Sequence, residues 1–297
     1  MKRHALLVPC YNAQNYIDGF LENLSKLTVP FDEVIFYDDA STDNTLQALE
    51  SKGIRVIKGE TNKGPGFARN RLAGAATSKY IHFHDIDDEF NPLFLQLIDD
   101  KLSQNQTDVI LGYADWIDFD SRDTVIQWRY DEGELLKDPL SYFISNPLGI
   151  INTVYSRDIF LKVKGFNEHY TCWEDADLHV QLAAAGATFG VINHVLAYSL
   201  RHYNGISKNE ARCWGCRLKF IESYLSNFQS ATASLKNELK KVQNEFVRLG
   251  KYKQLGNVIL LNKQHNLLMD NWKIVLIYKA SKFLPSNFIS LMLKLIR

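Results

Sequence analysis

The residues Tyr80-Ile81-His82-Phe83-His84-Asp85-Ile86-Asp87-Asp88 join an apolar run to three carboxylates within four positions. The apolar run predicts a buried strand, and the carboxylates follow at its carboxyl end. Carboxylates this close together repel one another unless a cation lies among them, and Mg²⁺ or Mn²⁺ takes oxygen ligands and bridges carboxylates to phosphates. Two interpretations are open at this point: a metal–diphosphate site, or a solvated acidic turn that precedes a helix near Asn91-Pro92.

Strand and helix patterns alternate along the first part of the chain. Apolar runs predict strands at residues 5–8, 34–37, 54–57 and 80–83. Between them lie segments with helical spacing or helix N-cap residues. This order predicts a mostly parallel, doubly wound α/β sheet flanked by helices, in which ligands bind at the carboxyl ends of the strands. Farther along, strands are expected at 109–111, 152–155 and 187–199, and a helix at 174–185.

Length and charge indicate one large domain with an appendage. The chain has 297 residues, of which 46% are hydrophobic, so it can form a sizeable core and is not disordered. Its net charge of zero hides an asymmetry. Residues 205–297 carry 16 Lys and Arg against 5 Asp and Glu, a net charge of +11, which residues 1–204 balance. A basic C-terminal region predicts contact with an anionic surface, either a membrane or a nucleic acid.

The cysteines and the N-terminus favour a cytoplasmic protein. Cys213-Trp-Gly-Cys216 has the spacing of half a zinc site, but no second pair follows it, so we expect reduced thiols. Met1-Lys2-Arg3-His4 leads directly into a predicted strand, which is unlike a secretory leader. No apolar stretch reaches the roughly 20 residues that a membrane-spanning helix needs.

Five motifs follow one another in a fixed order. They are Val8-Pro-Cys-Tyr-Asn12, Tyr37-Asp-Asp-Ala-Ser-Thr-Asp-Asn-Thr45, Asn62-Lys-Gly-Pro-Gly-Phe-Ala-Arg-Asn70, Asp85-Ile-Asp-Asp88, and Gly165-Phe-Asn-Glu168 followed by Trp173-Glu-Asp-Ala-Asp-Leu178. In this order and spacing they resemble the family 2 glycosyltransferases, inverting enzymes of the GT-A fold that include bacterial glycan-synthesis enzymes. The resemblance covers residues 4–205. Lys164 departs from it, because a second glycine is usual there.

The resemblance implies a nucleotide-sugar donor at the strand ends. Tyr11 could stack on the base, and Asp39 could accept a hydrogen bond from a base N–H or from ribose hydroxyls. Arg69 could pair with a phosphate or with a carboxylate of the cluster. As alternatives, Tyr11 is a surface aromatic, Asp39 belongs to a polar turn, and Arg69 lies on a helix surface. The full set of expected donor-binding residues is Pro9, Tyr11, Asn12, Asp38, Asp39, Arg69, Asp85 and Ile86.

The resemblance also implies a metal site and a catalytic base. Mn²⁺ or Mg²⁺ would be held by Asp87 and Asp85 with His202, and would offset charge on the leaving diphosphate. An inverting transfer needs a base for the acceptor hydroxyl, a role implied for Asp175 with Glu174 beside it. The N-terminus of a helix favours their ionised form, although acids are common in any first helical turn. Trp173 would form an acceptor platform or simply pack.

These expectations combine into one description of the chain. Residues 1–205 form a GT-A domain, with a nucleotide-sugar-binding half at 1–110 and an acceptor-binding half at 111–205. Residues 206–297 form a helical, basic extension. The expected reaction transfers a hexose or N-acetylhexosamine, with inversion, from a nucleotide sugar such as a UDP-sugar to a glycan or lipid-linked acceptor of the cell envelope.

Two other functional classes stay open. A non-catalytic nucleotide-sugar binder or scaffold could use the same donor site. A metal-dependent hydrolase is suggested by His82-Phe-His84-Asp85, although Ile86 stands where that motif requires an aspartate. On a strand, His82 and His84 share one face, so they could instead line the sheet beside a helix. No nucleic-acid recognition motif accompanies the basic region, so no nucleic-acid partner is expected.

The C-terminal region has the composition of an interfacial helix. Residues 272–284 and 286–297 are apolar with a fringe of lysines, and Trp272 and Tyr278 flank the apolar face. Such segments lie on anionic bilayers. We therefore expect peripheral attachment to the inner face of the cell membrane, with packing against the body of the protein or a second subunit as the alternative.

Overall fold

The computed structural model describes residues 2–201, 209–267, 272–284 and 288–289. The chain divides into two compact units, Met1–Gly205 and Ile206–Arg297.

The described part of the first unit contains nine strands and eight α-helices. The strands are β1 (His4–Cys10), β2 (Glu33–Asp38), β3 (Val56–Lys58), β4 (Tyr80–Phe83), β5 (Glu89–Phe90), β6 (Val109–Asp118), β7 (Thr124–Trp128), β8 (Thr153–Ser156) and β9 (Phe189–Arg201). The helices are α1 (Ile17–Ser25), α2 (Thr45–Ser51), α3 (Pro65–Ala75), α4 (Phe94–Gln104), α5 (Glu132–Lys137), α6 (Pro139–Ser145), α7 (Arg157–Lys162) and α8 (Glu174–Ala184).

All nine strands belong to one mixed sheet. Its order is β3-β2-β1-β4-β8-β6-β9-β5, and β7 pairs with β6. The pairs from β3 to β4 are parallel, as the alternation of strand and helix predicted. β8 runs antiparallel between β4 and β6, whereas β6 and β9 are parallel to each other. The predicted mostly parallel arrangement therefore describes the first half of the sheet, and β8, β5 and β7 make the second half mixed.

The apolar runs become strands because both faces of the sheet are covered. Every residue of β4 is buried, and β1 is buried except at Pro9. Strands covered on both faces read as continuous apolar runs instead of alternating patterns. One core cluster joins these strands to α1 and α4, and its members include Leu6, Val8, Phe20, Phe36, Ile98 and Leu102.

The second unit is helical. Its described helices are α9 (Glu210–Leu225), α10 (Thr232–Arg248), α11 (Tyr252–Gln264) and α12 (Trp272–Ala280). The buried positions of α10 include Leu235, Leu239, Val242 and Phe246, which recur at helical spacing. A buried ion pair joins Arg217 of α9 to Glu238 of α10, with Arg217 Nη2 2.6 Å from Glu238 Oε2. Within the described ranges, no helix is both long enough and apolar enough to cross a bilayer.

Candidate active site

The carboxyl ends of β1, β2 and β4 meet at one edge of the sheet. In the parallel register, Cys10 lies opposite Asp38 and Leu7 lies opposite Phe83. The loops that follow these strands carry the motif residues at 11–12, 38–39 and 85–88. This edge is therefore where the sequence motifs come together.

The first two loops are locked to each other by Asn12. Its backbone N–H donates to Ser41 Oγ at 2.9 Å, and its Oδ1 accepts from the Thr42 N–H at 2.8 Å. Asn12 has a positive φ of 51°, a conformation that asparagine tolerates better than most residues. The structure thus uses the Asn12 side chain to hold the two loops together. The ring of the preceding residue, Tyr11, is exposed at this edge.

The paired aspartates Asp38 and Asp39, at the carboxyl end of β2, are both buried. The Asp39 carboxylate accepts from the Lys63 N–H at 3.0 Å and from the Gly64 N–H at 2.7 Å, which fixes the loop that leads into α3. Asp38 Oδ2 accepts from the Ser41 N–H, whereas its Oδ1 is buried without a hydrogen-bond partner among the described residues. Asp39 therefore holds the loop before α3 at this edge of the sheet through hydrogen bonds within the protein.

Arg69 lies at the centre of the site. It belongs to α3, is buried, and donates to Asp85 Oδ1 at 2.8 Å and to Glu174 Oε1 at 2.9 Å. Burial alone would lower the pKa of the guanidinium, but the neighbouring carboxylates of Asp85, Glu174 and Asp175 raise it above its ordinary value. The interpretation of Arg69 as a helix-surface residue is therefore wrong. The side chain is a permanently charged link between the acidic strand end and the start of α8.

The three carboxylates of the strand-end cluster have different environments. Asp85 and Asp87 are half-buried, whereas Asp88 is buried and accepts from the Leu200 N–H at 2.8 Å. Burial and the charges of Asp85 and Asp87 raise the pKa of Asp88 well above its usual range. Asp88 therefore anchors the end of β9 to the cluster. Asp85 and Asp87 lie closer to solvent.

Ile86, between these carboxylates, was expected to touch the donor. Its side chain is buried in the core cluster with residues of β1 and α4. Any contact between Ile86 and a ligand would therefore fall to its backbone. Pro9, also expected at the donor, lies in β1 and is half-buried.

The two acidic residues at the start of α8, Glu174 and Asp175, have different environments. Glu174 is buried and paired with Arg69. Asp175 is half-buried, and burial together with the charges of Glu174 and Asp85 raises its pKa to about 8, against the opposing effect of Arg69. Glu174 is thus held as an ion-pair partner, while Asp175 can accept a proton near neutral pH.

Trp173 enters this helix in a strained conformation. Its φ of 77° lies in the left-handed region, which is uncommon for a bulky residue. Strain of this kind persists only where the surrounding structure imposes it, and it concentrates at functional sites. Trp173 is half-buried beside the acidic pair, so its placement agrees with either an acceptor platform or packing.

Two buried side chains, His179 and Tyr155, support the first turn of α8 through hydrogen bonds. His179 Nδ1–H donates to the Asp175 carbonyl at 2.8 Å, and the Tyr155 hydroxyl donates to His179 Nε2 at 3.1 Å. Burial lowers the pKa of His179 to about 4, so the imidazole is neutral. The sequence reasoning missed both residues, although His179 follows Asp175 at the i+4 spacing of one helix face.

Asn70 is a second supporting residue that the sequence reasoning did not assign. Its Oδ1 accepts from the Phe166 N–H, and its Nδ2 donates to the Phe166 carbonyl and to Glu168, each at 2.9 Å. Gly165 has a φ of 69°, and a Cβ there would lie 2.3 Å from Asn70 Oδ1. Glycine is required at this contact, which ties the segment before α8 to α3.

His82 and His84 belong to the core. His82 Nδ1–H donates to the Thr153 carbonyl at 2.8 Å, and its Nε2 accepts from His84 Nδ1–H at 3.0 Å. Burial lowers the pKa of His82 to about 3, and the His84 ring stacks on Phe90 with ring centroids 3.7 Å apart. Both histidines are therefore neutral residues that line the sheet. The motif that suggested a hydrolase thus has a structural role instead.

The sequence matches the family described as Glycosyl transferase family 2 over residues 5–164, more than half of the chain. The chain belongs to glycosyltransferase family 2. The matched range contains the donor-side edge, Arg69 and the acidic cluster, whereas Glu174 and Asp175 lie beyond it.

Two curated relatives show how far the family 2 similarity extends. The poly(ribitol-phosphate) β-N-acetylglucosaminyltransferase TarS of Staphylococcus aureus is 35% identical over 118 residues, which cover 37% of this chain and 21% of TarS. The minor teichoic acid biosynthesis protein GgaA of Bacillus subtilis is 26% identical over 200 residues, which cover 63% of this chain and 45% of GgaA. The chain thus spans about a fifth of TarS and under half of GgaA.

Solved structures of family relatives confirm the GT-A fold. TarS residues 1–349 in complex with UDP superimposes with a TM-score of 0.58 at 23% identity, covering 82% of this chain and 71% of that one. The mannosyltransferase PcManGT of Pyrobaculum calidifontis, in complex with GDP-Man and Mn²⁺, gives a TM-score of 0.62 at 15% identity, covering 95% and 80%.

Two of the three residues expected to hold a metal in this family 2 protein, Asp85 and Asp87, are among the described residues. Among the described residues, no three His, Cys, Asp or Glu side chains form a group that could hold a metal ion. His202, the expected third ligand, lies outside the described residues. Asp85 and Asp87 nevertheless fit the role chemically, because both carboxylates are hard oxygen ligands close to solvent.

Proposed function

We propose that the protein is an inverting glycosyltransferase, which moves a sugar from a nucleotide donor to a hydroxyl of a glycan or lipid-linked acceptor. One observation carries this proposal. Arg69 binds Asp85 of the strand-end cluster and Glu174 of α8 at the same time. This link puts a carboxylate with a raised pKa, Asp175, beside the edge where the donor diphosphate would lie. A donor site alone would not need that arrangement.

The donor is proposed to lie along the carboxyl ends of β1, β2 and β4. Tyr11 offers an exposed ring to the base, and the strand end at Pro9 and the Asp38–Asp39 pair form the floor. TarS was solved with UDP and PcManGT with GDP-Man. We favour a UDP-linked hexose or N-acetylhexosamine because the identity to TarS is higher.

A divalent cation would be held by Asp85 and Asp87, with His202 as a proposed third ligand. When bound, Mn²⁺ or Mg²⁺ would offset the negative charge that develops on the leaving diphosphate. Asp88 is excluded as a principal ligand, because its carboxylate is buried and anchors Leu200. Arg69 stays with Asp85 and supplies a fixed positive charge on the protein side of the cluster.

Asp175 is proposed to act as the base. The acceptor oxygen attacks C1 of the donor sugar as its proton passes to the Asp175 carboxylate, and the diphosphate leaves from the opposite face. The configuration at C1 is thereby inverted. A pKa of about 8 lets Asp175 hold the proton it receives and release it near neutral pH. Glu174 stays paired with Arg69, and Trp173 borders the acceptor side.

We also propose that the second unit attaches the protein to an anionic membrane surface. Trp272 is 68% exposed and Phe283 is 86% exposed, and the same segment carries the exposed lysines Lys279 and Lys282. Aromatic residues with a lysine fringe are typical of interfacial helices. The segment at 290–297, which the sequence analysis included in this surface, lies outside the described residues.

The proposed activity is tested with a panel of nucleotide sugars. Release of the nucleoside diphosphate is followed with Mn²⁺, with Mg²⁺ and with EDTA, with and without envelope glycans as acceptors. We expect one donor to be turned over only when a divalent cation is present. Tight donor binding without turnover on any acceptor would favour the non-catalytic binder instead.

A further inference from the structure

The hairpin of β6 and β7 exposes an unusual amount of apolar surface at the edge of the sheet. Among the described residues, β7 has β6 as its only strand partner. Phe119 is 45% exposed, Val125 48% and Ile126 39%. Edge strands are normally protected by charge or by covering elements, and exposed apolar patches mark binding surfaces. This hairpin therefore has the features of a ligand-binding surface.

Two tryptophans lie on the same face of the hairpin as Ile126, whereas Val125 belongs to the opposite face. In the hairpin register, Trp116 lies opposite Ile126 and Trp128 lies opposite Ala114, so both indoles are on one face. Their ring centroids are 5.6 Å apart at an angle of 38°. Both are half-buried, so part of each indole remains open to solvent.

A charged group completes the surface. The Arg201 guanidinium lies 5.2 Å from the centre of the Trp116 ring. Arg201 is half-buried, and its guanidinium carries N–H donors in a planar arrangement. Two neighbouring aromatic rings beside a planar hydrogen-bonding group match a saccharide, whose C–H faces pack on the rings while its hydroxyls bond to the polar group.

The surface is connected to the acidic cluster. Arg122, in the turn of the hairpin, binds Glu89 at 2.8 Å, and Glu89 directly follows the cluster. On the other side, Trp116 is in register with Ser199 of β9, and the next residue, Leu200, donates its N–H to Asp88. A glycan bound on the hairpin would therefore lie close to the proposed reaction centre.

We propose that Trp116, Trp128 and Arg201 form a saccharide-binding platform for the acceptor, which holds sugar units beyond the one that is modified. The assignment of the platform to an acceptor rests on the proposed transfer activity. Its glycan contact is a separate property, because binding to the platform requires neither donor nor metal. A peptide or lipid ligand on the same surface would contradict it.

Binding to an array of bacterial surface glycans tests the platform with the full-length protein. We expect wild type to bind at least one glycan, and Trp116→Ala to weaken that binding about tenfold or more, the scale of an aromatic anchor. Trp116→Tyr should retain most of the binding. Gln127→Ala is the matched control, since Gln127 lies opposite Asp115, on the other face of the hairpin. Absence of glycan binding by wild type, or equal binding by Trp116→Ala, would overturn the proposal.

Two further measurements keep the outcome interpretable. Donor hydrolysis is measured for wild type and for the control Gln127→Ala and should be equal in the two, so failure of the platform is separable from failure of the proposed transfer activity. If Trp116→Ala does not fold, the same surface can be tested by oxidising the tryptophans of wild type with N-bromosuccinimide, with and without glycan. The bound glycan should protect Trp116 and Trp128 while the exposed Trp272 is still oxidised. Equal oxidation of all three with glycan present would contradict the platform.

Discussion

Arg69 and Glu174 are 105 residues apart in sequence and joined by a buried ion pair of 2.9 Å. This contact brings the donor-side half of the family 2 domain to the helix that carries the proposed base. Breaking a buried pair is costly because the remaining charge is left without compensation.

Removal of Arg69 should therefore destabilise the protein strongly. Arg69→Met leaves Glu174 buried and unpaired, and we expect a loss of about 3–5 kcal/mol in the free energy of unfolding. The double variant Arg69→Met/Glu174→Met should regain most of that stability and remain inactive. Chemical denaturation measures the first effect, and donor turnover the second.

Arg71→Met is the matched control. Arg71 is exposed, and its ion pair with Glu168 is longer, at 3.7 Å. Its replacement should cost less than about 1 kcal/mol, as for other surface pairs. Equal losses for Arg69→Met and Arg71→Met would show that the central ion pair has no special structural role.

Asp175→Asn should retain donor binding and lose transfer by roughly 10²-fold or more, the usual effect of losing a general base. In wild type, transfer should increase as pH rises toward about 8, because the base must be deprotonated. This rise should be absent from the residual activity of the variant. Transfer by Asp175→Asn at the wild-type rate would move the role to another residue.

The same substitution should change how stability depends on pH. The pKa of Asp175 is raised in the folded state, so the group favours folding at low pH and this contribution is lost as pH rises through about 8. Asparagine does not ionise. The stability of Asp175→Asn relative to wild type should therefore increase between about pH 4 and pH 8. A constant difference across that range would show that the pKa of Asp175 is not raised.

His179→Ala should reduce kcat with little change in the KM for the donor, because His179 positions Asp175 and touches no donor group. We expect a decrease of about tenfold, and partial recovery with His179→Asn, whose amide can still donate to the Asp175 carbonyl. His194→Ala is the control, since His194 is exposed on β9. If His179→Ala changed only thermal stability, the positioning role would be refuted.

Asp87→Ala should abolish the metal-dependent part of donor affinity while leaving the fold intact. Calorimetric titration with a nucleotide sugar, with and without Mn²⁺, measures this effect. Asp123→Ala is the control, because Asp123 is an exposed acid in the hairpin turn. Unchanged Mn²⁺-dependent affinity in Asp87→Ala would contradict the assigned ligand.

Trp272→Ser/Phe283→Ser should weaken binding to anionic liposomes without altering donor hydrolysis. Wild-type binding should also decrease as salt rises, because salt screens the attraction of the lysines. Leu161→Ser, which removes an exposed apolar residue of the first unit, serves as the control. Wild-type protein that fails to bind these liposomes would rule out the membrane surface.

Local features of the fold followed from the sequence. β4 was predicted at its observed bounds, because a strand buried on both faces is a continuous apolar run between polar segments. The helix predicted at 174–185 is α8, which ends one residue earlier, at Ala184. Short elements such as β5 and β7 were missed, since two to five residues carry too little periodicity to identify a strand.

Contacts between distant segments did not follow from the sequence. Nothing local indicates that β8 inserts antiparallel beside β4, or that Arg69 reaches Glu174. Asn12 and Asp39 were expected to bind the donor, yet their described contacts hold loops. The motifs lie at one edge of the sheet, as the strand pattern predicted, whereas the contacts that each of their residues makes depend on packing.

The most direct test of the account is the stereochemistry of donor hydrolysis by the full-length protein with Mn²⁺. Proton NMR identifies the sugar anomer that forms first from an α-linked UDP-sugar, before mutarotation. Attack at C1 opposite the leaving diphosphate predicts the β-anomer first, with hydrolysis by Asp175→Asn reduced roughly 10²-fold or more. First formation of the α-anomer, or equal hydrolysis by Asp175→Asn, would contradict the inverting mechanism with Asp175 as its base.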